Sequence, residues 1–184
     1  MKKTFMALAF GLASISAFAD DGIGEVRFIG SIKDGGTCPI DVTPVGSTTP
    51  GTVFLGSNIR PTDFKAIGDA TTPVNFQLKI DDSGACDLTG GGKTVKFTFT
   101  AQNGVEGATG NLFGIQKAID AAENIAVGIT DRNGTSVTSG IPTADYRISD
   151  TEKAFDFSAR LVATHATVKP GPIVSEVGIT AEIK

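Results

Sequence analysis

The chain has 184 residues, with 20 acidic and 16 basic side chains and a formal net charge of −4 at neutral pH. An acidic chain without basic clusters is unsuited to binding nucleic acid or anionic membranes. Its single histidine, His165, lies outside any catalytic motif, and one histidine excludes a zinc or copper site built on several imidazoles. We therefore expect no enzymatic activity, no cofactor, no metal site and no small-molecule substrate.

The first residues are typical of an export signal. A basic start at Lys2 and Lys3 precedes an apolar stretch at residues 5–18 and an Ala-x-Ala sequence that ends at Ala19. This pattern predicts a secretory signal peptide at residues 1–19. A membrane anchor is the alternative, but the stretch is shorter than the ~20 residues that a spanning helix needs. Cleavage would leave 165 residues, enough for one domain, and would move the net charge from −4 to −6 because it removes two lysines and no acidic residue.

Two cysteines, Cys38 and Cys86, follow the predicted signal peptide. In an oxidising compartment an isolated pair most simply forms a disulfide, and two buried free thiols are the alternative. The bridge would close a loop of 49 residues. For such a loop the chain-entropy model gives roughly 4 kcal/mol of stabilisation.

Apolar residues alternate with polar residues along most of the chain. This period of two predicts strands with one buried face, arranged in antiparallel sheets. The pairs Asn103-Gly104 and Asn133-Gly134 predict tight turns between strands, because Asn and Gly tolerate positive φ. Many short strands joined by turns in a chain of this size predict a β-sandwich. The clearest predicted strands are residues 74–80, 94–100, 125–129 and 155–161.

One segment departs from this alternation. A short helix between strands is predicted by the helical spacing of four apolar residues, Ile115, Ala118, Ile119 and Ala122. Such a helix is too brief to change the all-β class. No long Pro/Ser linker, repeat or charge block divides the rest of the sequence, so we expect one domain with an N-terminal arm.

The two ends of the mature chain carry alternating segments that need a pairing partner. The N-terminal segment contains a glycine, which is costly inside a strand unless a close approach requires it. Its pattern fits an ordinary first strand and a strand lent to another copy equally well. The C-terminal segment runs to the end of the sequence, where a chain frays unless it is tied down. The apolar faces are Val26, Phe28, Gly30 and Ile32 in the first segment and Val177, Ile179, Ala181 and Ile183 in the second.

Taken in order, these segments resemble the chaperone–usher fimbrial subunits of the type 1 pilin-like family over essentially the whole mature chain. Residues 24–32 resemble the family's donor strand and are followed, as in the family, by Cys38. Gly171 is fourteenth from the end, where the family places a C-terminal glycine. The family usually has an aromatic residue at the penultimate position, whereas Ile183 is aliphatic. The other matching landmarks are residues 53–56, Cys86, residues 124–132 and residues 155–164.

The resemblance implies an incomplete immunoglobulin-like β-sandwich that lacks its last strand and has an N-terminal donor-strand extension. It divides the chain into a signal peptide at 1–19, a donor-strand extension at 20–35 and a pilin domain at 36–184. In the family the missing strand leaves an acceptor groove beside the C-terminal strand, which here follows Gly171. The apolar residues of the arm, Val26, Phe28 and Ile32, would fill such a groove, with Gly30 at a shallow site.

The function that the resemblance implies is that of a structural subunit, most simply the major shaft subunit, which polymerises by donor-strand exchange and supports adhesion or biofilm. The implied partners are copies of itself, sister pilins, a periplasmic chaperone and an outer-membrane usher. The chain would pass through the periplasm into an extracellular fimbrium. A minor adaptor of the same fold is the nearest alternative, and a monomeric surface or periplasmic binding module is the alternative of a different class.

Overall fold

The computed structural model describes residues 24–30, 39–45, 50–80, 88, 92–149 and 153–184. The predicted signal peptide at residues 1–19 lies outside the described residues, as do Ile32, Cys38 and Cys86. No helix in the described part of the chain is long and apolar enough to cross a membrane. The described elements are a 3₁₀ turn at Pro61–Asp63 and the strands β1 (Gly24–Gly30), β2 (Ile40–Pro44), β3 (Thr52–Gly56), β4 (Val74–Ile80), β5 (Thr94–Ala101), β6 (Val105–Glu106), β7 (Leu112–Phe113), β8 (Ile125–Asp131), β9 (Tyr146–Arg147), β10 (Ala154–Ala163) and β11 (Ile173–Ile183).

These strands form two sheets that enclose one core. The first sheet has five strands in the order β3-β1-β11-β5-β9, and the second has six in the order β2-β4-β10-β8-β7-β6. Among the described strands every pairing is antiparallel except that of β1 with β11. The predicted all-β sandwich is therefore confirmed.

The period-two alternation places one face of each strand in the core, as the sequence predicts. Along β5, Val95, Phe97 and Phe99 are fully buried, and the residues between them are half-buried. The same pattern recurs in β4 and β10. In contrast, β8 is buried on both faces, and at Gly128 the side chains of Val162 and Leu112 lie beside the backbone.

Phenylalanine rings from both sheets meet in the middle of the core. Phe97 on β5 lies 5.3 Å from Phe155 on β10, measured between ring centroids, and Phe99 lies 5.1 Å from Phe157. Phe157 also stacks on Phe76 of β4 at 5.8 Å. Tilted and edge-on pairs of this kind contribute about 0.5–1.5 kcal/mol each beyond the area that they bury. The aromatic cluster therefore fixes the distance and register between the sheets.

The helix predicted from the spacing of Ile115, Ala118, Ile119 and Ala122 is wrong. This segment is a loop with a single turn, in which the Ala121 N–H donates to the Ala118 carbonyl, and N–H groups on both sides of that turn donate to a distant segment. The N–H of Gln116 donates to the Val174 carbonyl at 2.7 Å, and the N–H of Ala122 donates to the Pro172 carbonyl at 3.1 Å. Four apolar residues are too few to outweigh these tertiary hydrogen bonds.

Candidate functional site

The first strand, β1, lies between β3 and β11, and we call the space that it occupies the groove. It runs parallel to β11, with Gly24 opposite Ile173 and Gly30 opposite Ile179. On its other side it runs antiparallel to β3. Without β1, two strand edges would be left unpaired in the same sheet, and each edge is a template for another strand.

The apolar face of β1 points into the core. Val26 is fully buried, and Phe28 retains 8% of its exposed surface, with its ring centroid 4.9 Å from that of Phe76. Arg27, between them, is exposed. The Phe28 N–H also donates to the Gly51 carbonyl at 2.8 Å. Val26 and Phe28 therefore fill the groove of their own chain, Gly30 pairs there through its backbone, and Ile32 lies outside the described residues.

The other wall of the groove is β11. Val177, Ile179 and Ala181 are buried, while Ile183 is only half-buried at the end of the strand. The opposite edge of β11 pairs with β5 from Val177 to Ile183. Because one edge is taken by β5, only the edge that faces β1 is available to a strand entering the groove.

The wall formed by β3 was not identified from the sequence as part of the site. Val53 and Leu55 are buried while Phe54 is 45% exposed. A period-two signal is therefore present in β3, but it covers only five residues. A strand this short does not reveal its partner, because pairing depends on contacts far apart in the sequence.

Gly171, which the sequence placed with the groove, lies beyond the groove's end and holds a loop in place. A Cβ atom at this position would fall 2.2 Å from the Asp120 carbonyl oxygen and 2.5 Å from the Ala122 nitrogen. Real Cβ atoms do not approach backbone atoms so closely, so only glycine fits here. The close contact fixes residues 120–122 against the turn that leads into β11.

A cleft of about 220 Å³ adjoins the groove beside Phe28. Ile40 and Val42 of β2 line one side of it, and Ile179 of β11 lines another. The cleft lies close to Gly30, one of the two glycines of β1, because Gly30 is opposite Ile179. The groove therefore has room for a larger side chain than its present strand supplies.

Electrostatic features lie away from the groove. Burial, together with the Asp131 carboxylate that accepts a hydrogen bond from the Tyr146 hydroxyl at 3.0 Å, raises the pKa of Tyr146 to about 12. Backbone N–H groups of Lys65 and Ala66 lower the pKa of Asp69 on an exposed turn. No group of three His, Cys, Asp or Glu residues within the described ranges is placed to hold a metal ion. In the groove itself, β1 is held by backbone pairing with β3 and β11 and by apolar contacts.

Curated relatives match the chain over most of its length. Long polar fimbria protein A of Salmonella typhimurium is 31% identical over 173 residues, which cover 93% of this chain and 90% of the relative. The major MR/P fimbria protein of Proteus mirabilis is 34% identical over 166 residues, covering 88% and 86%. Both relatives are named as fimbrial proteins.

A solved structure with the same fold is the P pilus rod subunit PapA. It superposes with a TM-score of 0.56 at 14% identity and covers 84% of this chain and 97% of that chain. The likeness confirms the expected immunoglobulin-like sandwich. The sequence model of the family described as fimbrial protein matches residues 27–184. The chain therefore belongs to the fimbrial protein family, whose members are structural fimbrial subunits and not enzymes.

Proposed function

We propose that this protein is a shaft subunit of a chaperone–usher fimbria and that copies polymerise when the arm containing β1 leaves its own groove and enters that of the next copy. The single observation that carries the proposal is the position of β1, which completes the first sheet between two strand edges. A strand in this position can be exchanged for an equivalent strand without changing the rest of the sandwich.

The direction of β1 supports exchange. Its pairing with β11 is the only parallel one among the described strands, and parallel pairing is slightly less stable per residue than antiparallel pairing. The arm is tethered to β2, so its direction in its own groove is limited by the short connection from Gly30 to Ile40. A strand from another copy has no such tether and can adopt either direction.

The energy of seating the arm is large enough to drive assembly. Full burial of Val26 and Phe28 contributes about 1.5–3 kcal/mol per side chain. Backbone pairing with β3 and β11 adds to this in either direction. Because an empty groove exposes the same apolar surface and two strand edges, we propose that a periplasmic chaperone covers the groove before an outer-membrane usher promotes exchange.

The relative named as the major MR/P fimbria protein supports the role of a main structural subunit over that of a minor adaptor. The protein would then be exported and assembled with copies of itself and sister subunits into an extracellular fimbrium that supports adhesion. A head-to-tail strand contact is heterologous, so it propagates into a filament instead of closing.

The test compares the mature chain from residue 20 with a version that begins after Ile32. We expect the shortened chain to be unstable or chaperone-dependent and to gain several kcal/mol of stability from a peptide covering residues 20–32. The matched control is the same peptide with Phe28→Asp, which keeps the backbone donors and acceptors but cannot seat in the core.

Two results would contradict the proposal. A shortened chain that is a stable monomer and ignores the peptide would show that β1 is an ordinary first strand, as expected of a monomeric binding module. Equal stabilisation by the Phe28→Asp peptide would show that the groove does not select the apolar face of the arm.

A further inference from the structure

The groove has two ends, which differ in what surrounds them. At the Ile173 end, Gly24 lies opposite Ile173, and a Cβ on Gly24 would lie 3.2 Å from the Leu161 side chain. At the opposite end, which we call the Ile183 end, β2 begins at Ile40, which lines the same cleft as Ile179 of β11. The body of each copy therefore follows its own arm at the Ile183 end.

Two isoleucines are exposed on loops at the Ile173 end. Ile119 is fully exposed, and Ile67 is 69% exposed. Ile67 belongs to this end because the next residue, Gly68, donates its N–H to the carbonyl of Ala163, the last residue of β10. Solvent-exposed branched aliphatic side chains indicate a contact surface when they lie on a rigid loop beside an apolar recess.

The loop that carries Ile119 is held rigidly. Its backbone is hydrogen-bonded on both sides of Ile119, through Gln116 to Val174 and through Ala122 to Pro172. Gly171 adds the close backbone contact with Asp120. A side chain presented by a fixed loop loses little conformational entropy when a partner covers it. Exposure of Ile119 is therefore a property of the folded loop.

A cleft of about 360 Å³ lies beside Ile119 at the same end. Ile115, Ala121 and Ile125 contribute apolar surface to it, and Lys117 and Glu106 contribute charges of opposite sign. A projecting isoleucine next to an apolar recess with charged neighbours has the composition of a protein contact, in which a buried apolar centre is ringed by polar groups.

Symmetry indicates which partner covers this surface. The body of a donating copy lies next to the root of its arm, at its own Ile183 end. If it met the same patch at the Ile183 end of the acceptor, the contact would be isologous, and the pair would close as a dimer. An open filament requires two different surfaces. The Ile173 end, with its exposed Ile119, offers a different surface for the Ile183 end of the next copy.

We propose that the Ile119 loop and its neighbouring cleft form a docking surface for the body of a second copy of this chain, distinct from the groove that takes the strand. This inference rests on the proposed function. The groove provides the strand contact, and the Ile173 end fixes the angle at which the next copy sits.

The experiment replaces Ile119 by Glu in the full mature chain. The matched control is Ile141→Glu, since Ile141 is also exposed (58%) but lies in a turn beside the middle of β5, where Thr98 bridges to Pro142. Two quantities are measured for each protein. One is uptake of the peptide covering residues 20–32 by each protein shortened to begin after Ile32, which leaves the groove empty, and the other is the dissociation of filaments of each full mature chain into subunits on heating or in denaturant.

We expect equal peptide uptake by the wild type and both variants. We also expect filaments of Ile119→Glu to be shorter and to dissociate about tenfold faster, because a charge replaces an apolar contact at the centre of the surface. Filaments of Ile141→Glu should match the wild type.

Three results would overturn the inference. The first is that Ile119→Glu filaments are as stable as those of the control. The second is that sedimentation shows association through Ile119 to yield closed dimers. The third is that Ile119→Glu alone abolishes peptide uptake. Failure of the peptide to enter any of the three proteins would instead refute the proposed function, so the two failures are distinguishable.

Discussion

Replacing Phe28 by Ala tests how β1 is seated in the isolated monomer. Phe28 retains 8% of its exposed surface, and its ring lies 4.9 Å from that of Phe76. The hydrogen bond from its N–H to the Gly51 carbonyl is kept by Ala, so the loss comes from the side chain alone. Deleting a buried Phe side chain costs about 3–5 kcal/mol, including the cavity that it leaves. This is a large part of the roughly 5–15 kcal/mol that stabilises a typical domain.

The assay is equilibrium unfolding of the mature chain in guanidinium chloride. Phe54→Ala is the matched control, because Phe54 lies on the adjacent strand β3 but is 45% exposed. Its loss should cost about 1 kcal/mol, since roughly half of its surface is already in water. A Phe28→Ala variant that loses no more stability than Phe54→Ala would refute the placement of β1 in the groove.

Three further changes test the packing around the site. Gly171→Ala should lower the unfolding free energy by about 2–3 kcal/mol, because its Cβ would lie 2.2 Å from the Asp120 carbonyl oxygen. The control is Gly140→Ala, where φ is +77° but no atom lies within 4 Å of the added Cβ, so the unfolding free energy should fall by only about 1 kcal/mol. Since the pKa of Tyr146 is raised from 10.0 to about 12, the folded state prefers the neutral phenol, so stability should hold below pH 10 and fall between pH 10 and about 12. Tyr146 is the only tyrosine, so phenolate absorbance reports this titration directly, and Tyr146→Phe should abolish the fall. Asp131→Ala removes the acceptor for the Tyr146 hydroxyl and should lower the tyrosine pKa; an unchanged titration would contradict the proposed contact.

The strands were predictable because their alternation is long and strong. Residues 74–80, 94–100, 125–129 and 155–161 each carry at least three apolar residues at a spacing of two, and each lies within a strand. Turn chemistry agreed at Asn133-Gly134, where the Gly134 N–H donates to the Asp131 carbonyl, whereas Asn103-Gly104 lies in a bend that connects β5 and β6 of different sheets. These features are local, so a single stretch of sequence contains all the information that they need.

The direction of β1 and the form of the Ile119 loop were not predictable in this way. Alternation along β1 reveals which side chains face the core but not whether the strand runs parallel or antiparallel to β11. The loop is fixed by hydrogen bonds from Gln116 and Ala122 to residues about fifty positions later in the chain. Helical spacing of four apolar residues carries no information about such distant partners.

The position of β1 also bears on how assembly is controlled. A tethered arm competes for its own groove at an effective concentration of the order of millimolar, far above the concentration of free copies in dilute solution. The isolated chain therefore covers its own two strand edges, which protects it from uncontrolled edge-to-edge association. Exchange between free copies must first displace β1, with Val26 and Phe28 leaving the core before new contacts form. Filaments should consequently form slowly from purified chains and quickly only where a partner holds the groove open, and spontaneous rapid polymerisation of the mature chain would argue against this form of control.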